Sequence, residues 1–551
     1  MQKLIKWMSA VALIVFPLQG QAEAPWVSLF NGKDLADWSK TIKTYKVGED
    51  PDKLVQVHDG KIHMYKDLAV DGDGHFGVIT HKDTFSRFHL VVEYKWLDKK
   101  FKPRADRLRD AGILYHVKKH DKVWPDSLEC QIQEGDTGDI VLLQTGAFSW
   151  HHPMPDAAPK GQGDAHLLPE HGGYPFYKKG FLYLGRLSEP DHLKDWNKVE
   201  VIVQADESAV HIVNGKLLAR MGNMVDMDGQ PLRSGKICLQ LEAAELVYRN
   251  VKIRKLPEPL KASSQIVTLS AVASVPSQKR TITITNPHSY PVASNPVLSG
   301  KDAGMFKLGA FPKQLAAGES RELTVQFSAD SNIKSATRCS AGLQIGELTT
   351  GTHVALQGIV LAKFEGKNEP TLEQVTRAFG IPLDVGGAKL HLDTQKATIG
   401  DSVAATYFKA VEGKKVIITP LARFSPKGEV NIGLIRKNDA ALKVLGKISD
   451  VTAKNPDAHQ CLLPPLVSGS IAIEFSPSNE PFGVYIQGKK YLVATDQSRS
   501  KDSRVKHGAR VYPVAFFQGR KLHNAYLIGF EEASNGDYQD ALFLIENVTV
   551  H

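Results

Sequence analysis

Between Trp26 and Leu256 turn residues cut the chain into short runs of alternating apolar and polar side chains, with no helical period. The runs are Lys61 to Tyr65, Gly77 to Thr80, Phe88 to Trp96, Gly112 to Val117, Leu128 to Gln133, Val199 to Gln204, Val210 to Asn214, Ile237 to Leu241 and Leu246 to Ile253. Alternation sends successive side chains to opposite faces of a strand. Many short strands, each apolar on one face, can bury those faces only against one another. This predicts an all-β sandwich or jelly roll.

At 551 residues the chain is too long for one core. LPEPLKASS (Leu256 to Ser264) reads as a linker. Beyond it, Thr281 to Thr285, Asn286-Pro287 and Leu323 to Phe327 predict a small sandwich of immunoglobulin type. Lys363 to Pro370 is a second, polar linker. Thr371 to Gln374 then forms a capping-box start, Leu372, Val375 and Phe379 an apolar stripe, and Gly380 a stop: one short helix. Strand-like runs resume from Val403 to Glu546 and predict a third β domain. The expected division is 1–22, 23–256, 257–364 and 365–551.

Residues 1–22 read as a signal peptide. Lys3 and Lys6 precede an apolar Trp7 to Leu18, and Gly20-Gln21-Ala22 offers a cleavage site. The expected location is exported, periplasmic or extracellular. No later stretch reaches the ~18 apolar residues of a membrane helix. A net charge of +8 without a long Lys/Arg block gives no reason to expect a nucleic-acid partner. The four cysteines, Cys130, Cys238, Cys339 and Cys461, lack a CxxC pair, which excludes a zinc ribbon. Sequence does not choose among their pairings, and free buried thiols are equally compatible.

The stretch richest in chemistry is SLECQIQEGDTGD, Ser127 to Asp139. Leu128, Cys130 and Ile132 alternate with Glu129, Gln131 and Gln133. One face is therefore a row of hydrogen-bonding groups of the kind sugar sites use, and the other is apolar. An acidic, Gly-broken loop containing Glu134 follows, and function concentrates on such loops. A solvated outer face would read the same way. By the same alternation Asp110, Gly112, Leu114 and His116 share one face, and Gln240 and Glu242 another. If these faces line a concave sheet, three strands bring Asp110, His116, Glu129, Gln131, Gln240 and Glu242 into one cleft. Trp96, Trp124, Trp150 and Trp196 are candidates for stacking on sugar rings or for packing. The basic segment Lys99 to Arg109 is compatible with binding an acidic glycan, but reads first as a solvated strand-end loop.

Phe148 to Gly180 contains His151, His152, His166 and His171 among several Pro and Gly, and reads as a long loop or lid. It invites a metal reading, but the His spacing is irregular. A second candidate lies in GFEEASNGDYQD, which places Glu531, Glu532, Asn535, Asp537 and Asp540 within ten residues. Hard oxygen ligands on a Gly-containing loop suit Ca²⁺. The competing reading is a solvated acidic hairpin loop.

SLFNGKDLADW, RDAGILYH (Arg109 to His116), SLECQIQEGDTGD, Asp195-Trp196-Asn197 with Asn214-Gly215, and GKICLQLEAAELVYRNVKI (Gly235 to Ile253) together resemble the 3-keto-disaccharide hydrolase family. That family is also described as 3-keto-glucoside 1,2-lyase and 3-keto-2-hydroxy-glucal hydratase. The resemblance covers Trp26 to Leu256 and implies a concanavalin-like jelly roll. Where many members have Asn-Ser-Gly and an Arg, this chain has Asp110-Ala111-Gly112 and His116. Gln240-Leu241-Glu242-Ala243 stands where many have Gln-x-His-Gly. The middle region looks like Ig-like modules of secreted proteins. The GFEEASNGDYQD end looks like Ca²⁺-associated modules of exported bacterial proteins.

The resemblance implies cleavage of a 3-keto-glycoside. The keto group acidifies the hydrogen on C2, a base removes it, and the enolate expels the C1 oxygen. Water can then add back. Such chemistry needs a base, a group for the enolate oxygen and an acid for the leaving group. Glu129 is the expected base, its pKa raised by a dry cleft and by Glu242. His116 is the expected acid or enolate donor. A divalent metal across the 3-keto and 2-hydroxyl oxygens could replace that donor. Asp110, Gln131, Gln240 and Glu134 are expected to hold substrate. Direct hydrolysis would need a carboxylate pair such as Glu129 and Glu134, which alternation sends to opposite faces. The alternative is a carbohydrate-binding or adhesion protein on the same fold, with the later modules attaching it to glycan or the cell surface.

Overall fold

A computed structural model describes residues 24–551 apart from 120, 153–164, 187–190, 274, 276–278, 330–332 and 478–479. The predicted signal peptide lies outside the described residues. The first body of strands is β1 (Val27–Ser28), β2 (Trp38–Ile42), β3 (Val55–His58), β4 (Lys61–Met64), β5 (Gly77–His81), β6 (Arg87–Lys100), β7 (Gly112–Val117), β8 (Ser127–Gln131), β9 (Ile140–His152), β10 (Ala165–His166), β11 (Tyr174–Arg186), β12 (Asn197–Gln204), β13 (Ser208–Val213), β14 (Lys216–Asp226), β15 (Lys236–Leu241) and β16 (Ala244–Lys255). Hydrogen bonds join them along the path β2-β5-β15-β7-β8-β9-β14-β13-β12-β6-β16-β4-β3.

The path folds back on itself. Ile79, Ile113, Tyr115, Leu128, Cys130, Ile237 and Leu239 from one half share a single buried cluster with Leu90, Val92, Tyr94, Val199, Val201, Leu246 and Tyr248 from the other. These are the apolar positions of the alternating runs, so the unit is the expected jelly-roll sandwich. β1 closes it against β16, pairing Val27 with Ile253.

Most of the described residues in the expected long loop from Phe148 to Gly180 lie in strands. β9 and β11 pair antiparallel from Tyr174–His151 to Leu184–Ile140. Its pattern hid it because β9 is covered on both sides. Leu142 and Ala147 enter the sandwich core, while Phe148 and Trp150 join Ile266, Ala355 and Phe516 from later in the chain. A strand buried on both faces loses its alternation.

Residues 261–361 form two four-stranded sheets around their own cluster, including Leu269, Ile284, Leu323, Val325, Phe327, Leu343 and Leu356. The strand Ile266–Val272 lies parallel to Thr352–Leu361, with Ile266 opposite Ala355. The predicted helix is present at Leu372–Ala378. Thr371 and Gln374 make the reciprocal capping box. Beyond it, two six-stranded sheets face each other. Phe408–Ala410 pairs with the final strand Val548–Val550. Val272, Ile359 and Leu361 pack into the same cluster as Leu372, Val375 and Leu544, so these later units are continuous in packing. Arg338 joins the middle unit to the first: its guanidinium donates to the carbonyls of Gly172 and Gly173 and to Gln357 Oε1. All four cysteines are buried free thiols. Among the described residues no helix is long and apolar enough to cross a membrane.

Candidate active site

β15, β7 and β8 are neighbours in that order. Leu239 pairs with Ile113, and Gly112 pairs with Gln131 and Leu114 with Glu129. This register sets Gln240, Gly112 and Gln131 side by side, with Glu129 one pair along, on the face turned away from the core. Val78, Leu114, Val117 and Cys238 form a small apolar floor on that face. Gly112 is required by close approach: a Cβ built there would overlap Glu129 Oε1 and Gln240 Oε1. The two side chains therefore converge over a position that holds no side chain.

Three carboxyls meet here, two of them on one arginine. Arg104 reaches Asp110 Oδ2 at 2.6 Å and Glu242 Oε2 at 3.0 Å. It also approaches Gln133 Oε1 at 3.4 Å. Its buried Nε has no acceptor among the described residues. Glu242 Oε1 accepts the Trp124 indole N–H at 2.8 Å. Trp124 itself is 41% exposed and meets Phe76 edge-on at 5.6 Å.

Glu129 is only 4% exposed. It has no ion pair or hydrogen bond among the described residues. Burial, then the charges of Glu242 and Asp110, push its pKa well above the carboxylate range. Burial and Asp110 push Glu242 up to about 7, against the opposing pull of the Trp124 hydrogen bond and Arg104. Burial raises Asp110 as well, with Arg104 opposing. A group starved of water and set beside like charge holds its proton more tightly, and such groups are suited to acid–base work.

The structure thus brings together Asp110, Glu129, Gln131, Gln240 and Glu242. Gln131 Oε1 is engaged by its own chain, accepting the Ile132 N–H at 3.1 Å. His116 is the correction. Its backbone takes a left-handed φ of 55°, opposite an irregularity between Lys236 and Cys238 of β15. The alternation breaks there and His116 turns to the core side. Its ring stands 6.2 Å from that of Phe88, and Nε2 meets the Ala205 carbonyl at 3.0 Å. Burial lowers it to about 4, so it is a neutral structural imidazole.

Glu134 is likewise committed elsewhere. Arg109 grips both its oxygens from Nε at 3.0 Å and the terminal nitrogen at 2.9 Å, and this holds its carboxyl below the usual range. Of the tryptophans named above, Trp96 and Trp150 are buried and Trp196 lies under Arg249 at 3.6 Å. Trp124 alone joins the cleft. Arg104 was missed because it sits in the Lys99 to Arg109 segment, which reads as solvated. An arginine in a basic run next to a cluster of same-face carboxylates is the signal that was there.

The residues do not fit the expected divalent metal in this cleft. Asp110 and Glu242 are bridged by a guanidinium, and Glu134 is tied to Arg109. In the predicted His-rich loop, His166 Nε2 lies 3.2 Å from the Arg220 carbonyl and His151 packs on Phe176 at 4.7 Å. His152 pairs through its backbone with Ala165 and its ring stands 6.3 Å from that of Tyr174, and His171 ends a short 3₁₀ turn.

The four carboxylates of the second candidate are buried while Asn535 is exposed, so the solvated-loop reading fails for the carboxylates. Glu531, Asp537 and Asp540 each offer an oxygen within 4.8 Å of the others. Asn535 Nδ2 donates to Asp537 Oδ2 at 2.6 Å. Glu532 is separate in role: its backbone N–H donates to Asp540 Oδ2, while its carboxyl is pushed up to about 7 by burial.

No curated protein matches this chain in sequence. Among solved structures, a candidate glycosyl hydrolase from Parabacteroides distasonis shares 20% identity over 42% of this chain and 94% of its own, with a TM-score of 0.26. A protein of unknown function with a galectin-like fold from Bacillus subtilis shares 15% over 43% of this chain and 97% of its own, with a TM-score of 0.25. A carbohydrate binding module from Bacillus subtilis shares 12% over 43% and 100%, with a TM-score of 0.21. The sandwich bearing the cleft matches, from residue 25 to residue 254, a family model described as a 3-keto-alpha-glucoside-1,2-lyase-like domain.

Proposed function

We propose that the first unit cleaves 3-keto-glycosides by elimination, with Glu129 as base and Glu242 as acid. The observation that carries this reading is the free, desolvated Glu129 carboxyl beside the Arg104–Glu242–Trp124 chain of hydrogen bonds. The Glu129 carboxylate takes the proton from C2, and the electron pair of that bond forms the enolate with C3. The enolate collapses to a C1–C2 double bond as the C1–O bond breaks. Glu242 gives its proton to the departing oxygen. The products are a 2-hydroxy-3-keto-glycal and an alcohol. Glu129 is then protonated and Glu242 ionised, and exchange with water resets both.

Arg104 supplies the positive charge for the enolate oxygen, and its buried Nε–H has no acceptor among the described residues. Gln240 and Asp110 hold hydroxyl groups, and the exposed indole of Trp124 stacks on the sugar. The leader-like residues 1–22 support an exported protein, periplasmic or extracellular.

The test is incubation of the full chain with a 3-keto-glucoside, followed by mass and ultraviolet absorbance. A 2-hydroxy-3-keto-glycal supports elimination. If free 3-keto sugar is the only product, reaction in deuterated water decides: deuterium at C2 marks elimination followed by hydration, and its absence marks direct hydrolysis. Glycan binding without turnover overturns the enzyme reading in favour of a carbohydrate-binding protein.

A further inference from the structure

The loop from Glu531 to Asp540 joins the strands Ala525–Phe530 and Ala541–Glu546, which pair with each other. It is wound around one carboxylate. Glu531 Oε1 accepts the Ala533 N–H at 3.0 Å, and Oε2 accepts the N–H groups of Gly536 and Asp537, each at 2.8 Å. The backbone of the loop thereby fixes where Glu531 points. Asp537 and Asp540 come round to meet it, with oxygens of all three inside 4.8 Å. All three are buried.

Buried carboxylates normally bring a cation with them, because an uncompensated buried charge is costly. Here none is supplied. Among the described residues, none of the three forms an ion pair. Arg423 is buried and electrostatically coupled to Asp540, but its nitrogens are spent on Ser425 Oγ and the carbonyls of Ser449, Pro426 and Gly428. The terminal nitrogens of Arg510 are spent on the carbonyls of Ala397 and Asp393.

An independent sign comes from orphaned polar atoms. Asp537 is fully buried, yet its Oδ1 has no hydrogen-bond partner. Glu532 Oε1, in the same loop, is also unpartnered, whereas the Gln539 amide interacts with the Glu369 carboxyl. Buried polar groups are nearly always satisfied, so such orphans point to a missing ligand.

We propose that Glu531, Asp537 and Asp540 bind one Ca²⁺ ion, which completes the C-terminal β unit. The spacing agrees with Ca²⁺: ligands at 2.3–2.6 Å on opposite sides of an ion lie up to about 5 Å apart. The ligand set is all hard oxygen, without His or thiolate, which disfavours Zn²⁺. Mg²⁺ keeps several of its waters, and the site is fully buried.

The experiment uses the purified full chain, dialysed into metal-free buffer and measured by elemental analysis and thermal melting. The expected result is about one Ca²⁺ retained per chain. Chelation lowers the melting temperature by several degrees, and CaCl₂ restores it where equal MgCl₂ does not. Asp537→Asn removes one charge without changing shape, so it folds without metal. Its melting temperature no longer responds to CaCl₂, and its affinity falls at least about tenfold. No retained Ca²⁺ together with unmoved melting of the wild type overturns the site. Retention of another metal in preference to Ca²⁺, or an unchanged Ca²⁺ response in Asp537→Asn, also overturns it. None of these readouts depends on sugar turnover, so the site stands or falls apart from the proposed reaction.

Discussion

The Trp124 indole nitrogen donates to Glu242 Oε1 across 2.8 Å, so one partly exposed ring both roofs the cleft and tunes its acid. The hydrogen bond favours the ionised form of Glu242 and opposes the upward push of burial. Trp124→Phe keeps a ring and removes the donor. The pKa of Glu242 then rises further. Turnover that needs protonated Glu242 is lost as pH rises through that pKa, so the alkaline limb of kcat/KM moves to higher pH. A pH profile of both proteins checks the direction. An unmoved limb removes Glu242 from the role of acid.

Glu129→Gln keeps the shape of the side chain and removes the base. Loss of a positioned base costs about 10²–10⁴-fold in rate, and kcat should fall by that order with little change in melting temperature. In the wild type the base must be ionised. Its pKa is raised, so activity climbs with pH along a limb displaced upward from the ordinary carboxylate range. Full activity of the variant on a 3-keto-glucoside would end this assignment.

Gly112→Ala adds one methyl group where Glu129 and Gln240 already converge. Both side chains must move, at about 1–3 kcal/mol for overpacking. The expected outcome is a lower melting temperature and a larger loss of kcat than of substrate affinity, read from steady-state kinetics and a thermal melt.

Arg338→Met keeps the aliphatic stem across the junction of the first and middle units but leaves the Gly172 and Gly173 carbonyls without their donor. Hydrogen bonds from a charged group are worth roughly 1.5–3 kcal/mol. Thermal melting should show a destabilisation of that order with turnover preserved, since the cleft lies on β15, β7 and β8. Equal melting would mean that the Arg338 contacts contribute nothing to the junction.

The legible parts of this molecule are those whose surroundings differ across one strand or one helix. Glu129 and Gln240 were placed on the right faces because Cys130 and Leu239 beside them are apolar and buried. Thr371 and Gln374 announced their helix because a capping box is a local arrangement. β9 stayed hidden because Phe148 and Trp150 bury its outer face against residues far along the chain. His116 misled because one left-handed residue reverses the count of faces. Arg104 was invisible as a site residue because its role depends on where a loop crosses the sheet, which no spacing encodes.

In each of the three sheet systems an early strand is held by the last: Val27 by Ile253, Ile266 by Ala355 and Phe408 by Val550. During synthesis, no unit can close until nearly all of it has been made. Pairing so distant in sequence is slow to form, and each half-made sandwich waits with an open edge. Phe408 waits for Val550, in the last strand of its sheet. A truncation of the last few residues would therefore leave the C-terminal unit unclosed, although it removes no residue of either site.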